Sequence, residues 1–332
     1  MIFELRRRQL MAGSAAFLLA KLARAQPASK SWRIGILSLR SRPASFDSDR
    51  NFSAFRGGLR ELGYVDGQNV TLEWRFADGE SGRLPALAEE LVRLKVDVIV
   101  TAGNQSIEAA RKATATIPIV IATSIDPVGS GFVASLARPG GNITGLSNLT
   151  SETSAKHVEL LAAVLPGLSR LALLVNPTNS GHAEIRDSVR AAAASRNIEL
   201  LVFEARAEQE LDDAFAAMAK RQISALIVAV DSVFTRRCPR IAELATQHRI
   251  ASIYAPPALA EAGGLFGYGG DFSENFHRAA AYVDKIFKGA RPADLPVEQA
   301  TKFDLTVNLK TAMAIGITIP PSIMAAADRI IE

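Results

Sequence analysis

The residue types that carry most enzyme chemistry are sparse in this chain and poorly spaced for it. The four histidines, His157, His182, His248 and His277, are scattered, and no pair has metal-ligand spacing. Cys238 is the only cysteine, which excludes an intrachain disulfide, a cysteine zinc cluster and a two-thiol racemase. Beside Arg236, Arg237 and Arg240 it reads either as a perturbed thiol or as an inert helix cysteine. No Gly-x-Ser-x-Gly elbow occurs, since Gly129-Ser130-Gly131 lacks the preceding half, and no Gly-x-x-x-x-Gly-Lys-Ser/Thr phosphate loop is present. What remains is binding rather than turnover, with neither a cofactor nor a metal expected.

Polar and flexible residues do follow several apolar runs, and in open α/β sheets ligands sit where strand ends lead into helix starts. Ser38, Gly103, Asn104, Gln105, Thr123, Ser124 and Asp126 hold such positions in the first half, Asn148 lies where the first series ends, and Asn176, Asp231, Tyr254 and Asp271 follow in the second half. Amides near residues 103–106 would receive a carboxylate, because unpaired N–H groups and the helix dipole both favour an anion. For a zwitterionic solute, Asp231 is expected to take the ammonium, with Asn104, Gln105, Thr123 and Ser124 facing the carboxylate. Phe46 and Tyr254 are candidates for an aromatic wall. Each small polar residue also reads as an ordinary helix cap or turn former.

The elements that must position these residues alternate along the chain. Apolar runs at 34–37, 96–100, 117–121, 171–175, 200–203, 225–230 and 250–254 suit strands covered on both faces. Residues 52–62, 84–94, 155–165, 211–221 and 272–287 space their apolar residues three and four apart and predict helices. Roughly ten βα units exceed one open sheet of common size and favour two α/β lobes, although a TIM barrel also shows this alternation. The turn-rich RPGGN at 138–142 ends the first block.

Of 332 residues, 48% are apolar and 22% charged, a globular composition, and no run of 18 apolar residues provides an ordinary membrane span. The formal charge of +4 resides in the first 25 residues; the rest holds 33 basic and 33 acidic residues, a balance that argues against nucleic acid as a partner. Those 25 residues carry a basic stretch, an apolar stretch from Leu10 to Leu22 and the small-residue pattern Ala23-Arg24-Ala25, predicting a signal peptide cleaved after Ala25. Arg7-Arg8-Gln9-Leu10-Met11 favours the twin-arginine route over the general secretory one. A periplasmic protein is expected.

Longer segments carry a resemblance. FRGGLRELGYVDGQN at 55–69, RLPALA at 83–88, DPV at 126–128, ASLARPGGNITG at 134–145, LVNP at 174–177, EAGGL at 261–265, LPV at 295–297, TKF at 301–303 and NLKTA at 308–312 resemble a bacterial family of ABC-transporter substrate-binding proteins, some associated with tryptophan or tyrosine uptake. The resemblance runs in order over residues 32–332. It implies a type I periplasmic binding protein: two Rossmann-like lobes with parallel sheets, joined by crossings near 147–152, 270–273 and 300–306. One lobe would comprise 32–148 plus 272–300, the other 149–271 plus 301–332. It further implies a monomeric receptor that hands a small organic solute, an amino acid or related compound, to an inner-membrane ABC permease. Where family members commonly carry a charged and aromatic stretch, this chain has Ala255-Pro256-Pro257-Ala258, and the solute stays unnamed. Alternatives are a sensory subunit presenting its ligand state to a membrane receptor, or a periplasmic enzyme. A LacI-like regulator would require a DNA-binding helix pair where the signal peptide stands.

Overall fold

The computed structural model describes residues 31–299 and 302–332, so the expected signal peptide lies outside the described residues. The chain opens with β1 (Trp32–Ser38), α1 (Arg50–Glu61), β2 (Val70–Phe76), α2 (Leu84–Arg93), β3 (Val98–Ala102), α3 (Asn104–Ala113), β4 (Ile119–Thr123) and β5 (Ile143–Ser147). A second series follows: α4 (Thr150–Val164), β6 (Arg170–Val175), α5 (His182–Ala194), β7 (Glu199–Glu204), α6 (Gln209–Lys220), β8 (Ala225–Val228), α7 (Ser232–Arg236), α8 (Cys238–Gln247), β9 (Ala251–Tyr254) and β10 (Phe266–Gly269). Then come α9 (Phe272–Phe287), β11 (Glu298–Gln299), β12 (Asp304–Asn308), α10 (Leu309–Ile315), α11 (Pro321–Ala326) and β13 (Arg329–Ile331).

Two sheets result, which excludes a single closed barrel. One has the order β11-β5-β4-β3-β1-β2, the other β13-β12-β10-β9-β8-β6-β7, and every pairing is parallel except β10 with β12. The first five strands of each series share the order 2-1-3-4-5. Chain direction therefore reverses beside β1 and again beside β6, opening a crevice at the carboxyl end of each sheet. The central strands are apolar along their length because helices cover both faces: Val98, Ile99, Ile119, Val120, Leu171, Leu173, Ala225 and Ile253 are all fully buried.

The chain passes between sheets after β5, after β10 and between β11 and β12. After the second passage α9 lies on the first sheet, burying Phe276, Ala279, Ala280, Tyr282, Val283 and Phe287 in one core cluster with Phe52, Phe55 and Leu59 of α1. Trp32 stacks on Phe287 with ring centroids 4.1 Å apart. α4, by contrast, packs on α5 and against β9 and β10 of the second sheet.

Candidate functional site

A cleft lined from both sides lies between the carboxyl ends of the two sheets. The first lobe contributes Ser38 and Arg40 after β1, Asp49 to Phe52 at the start of α1, Ala102 to Gln105 at the β3–α3 junction, and Thr123 to Ile125 after β4. Across from them stand Asn179, Val230, Asp231, Ser232 and Thr235, while Asn148 comes from the first crossing and Phe272 and Phe276 from α9. The β3–α3 junction turns sharply at Gly103 (φ 83°), a left-handed conformation that a side chain disfavours. In α3, the N–H groups of Ser106 and Ile107 reach the Gly103 carbonyl, whereas those of Asn104 and Gln105 have no partner within the helix. They provide an anion-favouring edge of the cleft.

Arg40 and Asp49 bring charge of both signs. Asp49 caps α1, accepting from the N–H of Asn51 (3.1 Å) and of Phe52 (3.0 Å), and the Arg40 guanidinium engages both its carboxylate oxygens. The same guanidinium sits 5.1 Å from the centre of the Phe52 ring. Two of its five N–H donors serve Asp49, which leaves donors for a ligand oxygen.

Asp231 occupies the second lobe's side of the cleft, but its carboxylate is already saturated. Oδ1 accepts from Val233 N–H (2.8 Å) and Asn176 Nδ2 (3.3 Å); Oδ2 accepts from Asn179 Nδ2 (2.9 Å) and, across the cleft, Gln105 Nε2 (3.1 Å). Four donors fill the four lone-pair positions of a carboxylate. In this structure the group ties the second lobe's loops together and holds Gln105 of the first. Behind it, His182 accepts from the Asn176 N–H at Nδ1 (2.8 Å) and donates from Nε2 to the Val230 carbonyl (3.0 Å). Burial lowers the His182 pKa despite the nearby Asp231 charge, so the ring is neutral.

Other expected site residues divide in two. Ser38, Gly103, Asn104, Gln105, Thr123, Ser124, Asn148 and Asp231 line the cleft. Several of these spend their side chains internally: Asn104 clamps the Ile125 backbone through both amide atoms (2.8 and 3.0 Å), Thr123 donates to Asn148 (2.9 Å), and Ser124 donates to the Leu146 carbonyl (3.2 Å). The remaining five do not line it. Phe46 packs on Trp74 (4.4 Å) beside Phe52 and Phe76, covering β2. Tyr254 is buried in the core in contact with Cys238, and burial drives its phenol pKa well up. Asp126 accepts from Gly129 N–H (2.7 Å) within a turn at φ 39°. Asn176 lies behind Asp231, and Asp271 caps α9 and pairs with Arg50 at 3.3 Å. Arg40, Asp49, Asn51, Phe52, Thr235, Phe272 and Phe276 are lining residues that sequence reasoning missed. The strand-end rule extended past Ser38 along the loop to α1 finds Arg40 and Asp49.

The polar cleft continues into a smaller, apolar compartment, the two sharing Ile125, Asn148, Val230 and Phe272. Ile185, Ile227, Ala229 and Phe303 supply much of its wall, and Thr153, Ser154 and His157 line it from α4. His157 is 4% exposed; its Nε2 lies 2.8 Å from the Tyr268 carbonyl, and burial lowers its pKa to about 4.

Two lobes of this topology, with a cleft lined from both, define a periplasmic-binding-protein fold of type I. The chain belongs to the ABC transporter substrate binding protein family, whose model matches residues 34–331. Among curated relatives it is similar to a tyrosine-binding protein of Clostridioides difficile (strain R20291), 26% identical over 287 residues, spanning 86% of this chain and 81% of that one. Among solved structures it superposes on a conserved domain protein from Vibrio cholerae (TM-score 0.85, 28% identity) and on an ABC domain from Streptococcus pneumoniae in complex with L-Trp (TM-score 0.84, 25% identity). Each superposition covers 91% of this chain and all of the other.

Proposed function

We propose that this protein captures an amino acid with an apolar, ring-sized side group and presents it to an ABC importer in the inner membrane, without changing it chemically. The observation that carries this reading is the pairing of a polar cleft, lined from both lobes, with an apolar compartment that opens from it. A ligand with a charged head and an apolar side group satisfies both, and closing two lobes over it buries most of its surface. The Asn104 and Gln105 amides with Arg40 suit the ligand's carboxylate. The tyrosine-binding relative and the L-Trp complex support this class of ligand. The N-terminal 25 residues support export with cleavage after Ala25, by the twin-arginine route; sequencing of mature protein should begin at Gln26.

Thermal-shift measurements against L-tryptophan, L-tyrosine, L-phenylalanine and a panel of sugars test the ligand class. At 100 times its Kd, a ligand that binds only folded protein adds about 2.7 kcal/mol of stability. Arg40→Gln should weaken amino-acid binding by about 10–100-fold, since a charge-assisted contact to the ligand's carboxylate is lost. A shift with sugars and none with amino acids would refute the reading, as would recovery of a chemically altered ligand.

A further inference from the structure

The apolar compartment contains one ring whose hydrogen-bonding sense is fixed. A carbonyl oxygen only accepts, so the 2.8 Å contact between His157 Nε2 and the Tyr268 carbonyl places the proton on Nε2. Burial keeps the ring neutral, and a neutral imidazole with Nε2–H carries a bare lone pair on Nδ1. Among the described residues, none donates a hydrogen bond to that nitrogen. Tyr268 is itself held in place, stacking on Phe303 at 6.0 Å and meeting the imidazole edge-on at 6.1 Å. His157 is thus a rigid acceptor lining a wall made otherwise largely of Ile125, Ile185, Ile227 and Phe272.

We propose that His157 is a specificity-determining residue: its Nδ1 accepts a hydrogen bond from a polar hydrogen on the ligand's ring, so the compartment selects aromatic side chains bearing an O–H or N–H over wholly apolar ones. This rests on the amino-acid reading above. A ring without such a hydrogen leaves the imidazole lone pair buried and unpaired, whereas a phenol or an indole satisfies it. Sites built to hydrogen-bond a substrate group reject analogues lacking it far more strongly than apolar pockets reject a missing methylene.

Matched pairs in isothermal titration calorimetry test the assignment: L-tyrosine against L-phenylalanine, and L-tryptophan against 3-benzothienyl-L-alanine, in which sulfur replaces the indole N–H. In the wild-type protein the donor-bearing member of at least one pair should bind 10-fold or more tightly than its analogue. In His157→Leu that preference should fall to within threefold, with the apolar analogue binding as well as before or better. Wild-type affinities within threefold in both pairs would overturn the role of His157 and leave the amino-acid reading standing. Retained preference in a folded His157→Leu protein would do the same. Failure of all four compounds to bind wild-type protein would overturn the ligand reading, and this assignment with it. Absence of a wild-type preference overturns the assignment even if the variant does not fold.

Discussion

A carboxylate at a strand end in a ligand cleft invites the reading that it binds the ligand, and at Asp231 the surrounding donors support a second reading, a structural tie. Its side chain accepts from four protein donors, two on the β6–α5 loop, one on α7 and one on the opposing helix α3, and none of its lone pairs is left over. Substituting Asp231→Asn replaces one accepting oxygen with an NH2 group that faces donors, so at least one buried contact becomes a clash of like partners. The cost of such a buried mismatch is about 1–3 kcal/mol. Calorimetric unfolding of the ligand-free protein should therefore show a Tm lower by several degrees. Gln105→Ala touches only the cross-cleft bond and should leave that Tm nearly unchanged while weakening ligand affinity. An Asp231→Asn protein with wild-type Tm and much weakened binding would return the residue to the role of a ligand contact.

At the scale of elements, helix α4 carries a pH response because it buries His157. The ring's pKa falls from 6.5 in the unfolded chain to about 4 in the fold, so between those values the unfolded chain binds the proton more tightly. The contribution of neutral His157 is fully present above about pH 6.5 and is lost as pH falls toward 4. A shift of this size corresponds to about 3 kcal/mol. Urea unfolding at several pH values should show the wild type losing stability across this window more steeply than His157→Leu, and parallel curves would refute the assignment. The period of α4 was legible: apolar spacing at 155–165 marks a helix, and the observed element is Thr150–Val164. Central strands were legible for the same reason, since β6 is apolar after Arg170 and β8 throughout. β2 was not, because at the sheet edge it is only half-covered and alternates Glu73 and Arg75 with Trp74 and Phe76. β10 hides for another reason: Gly267 and Gly269 break its apolar run because backbone at Pro257 and Ala255 would lie 2.4 and 2.0 Å from their Cβ atoms. In the site, residues next to strand ends were readable, whereas Phe272 and Phe276 reach the cleft from a distant helix that only the crossings bring there.

At the scale of the whole molecule, the lobes meet at points outside the ligand cleft as well as within it. Arg236 on α7 of the second lobe donates to the Asp78 carbonyl (2.6 Å) and to Ser41 Oγ (3.3 Å) of the first. Its guanidinium also packs over Gly79, where a Cβ would lie 2.3 Å from Nη2. None of these atoms lines the ligand cleft, so the contact stabilises closure without touching the ligand. Apparent affinity scales with the fraction of molecules in the binding-competent arrangement, and weakening closure lowers that fraction whatever the ligand contacts. Arg236 is exposed, and its contacts are worth about 1 kcal/mol after solvent screening, so Arg236→Ala should weaken ligand binding by about fivefold. Small-angle scattering should show a larger radius of gyration for the ligand-free variant than for ligand-free wild type, and the two should converge when ligand saturates both. A variant whose affinity and ligand-free radius both match the wild type would mean that Arg236 follows closure rather than favouring it, and that the cleft contacts, Gln105 with Asp231 foremost, hold the lobes together alone.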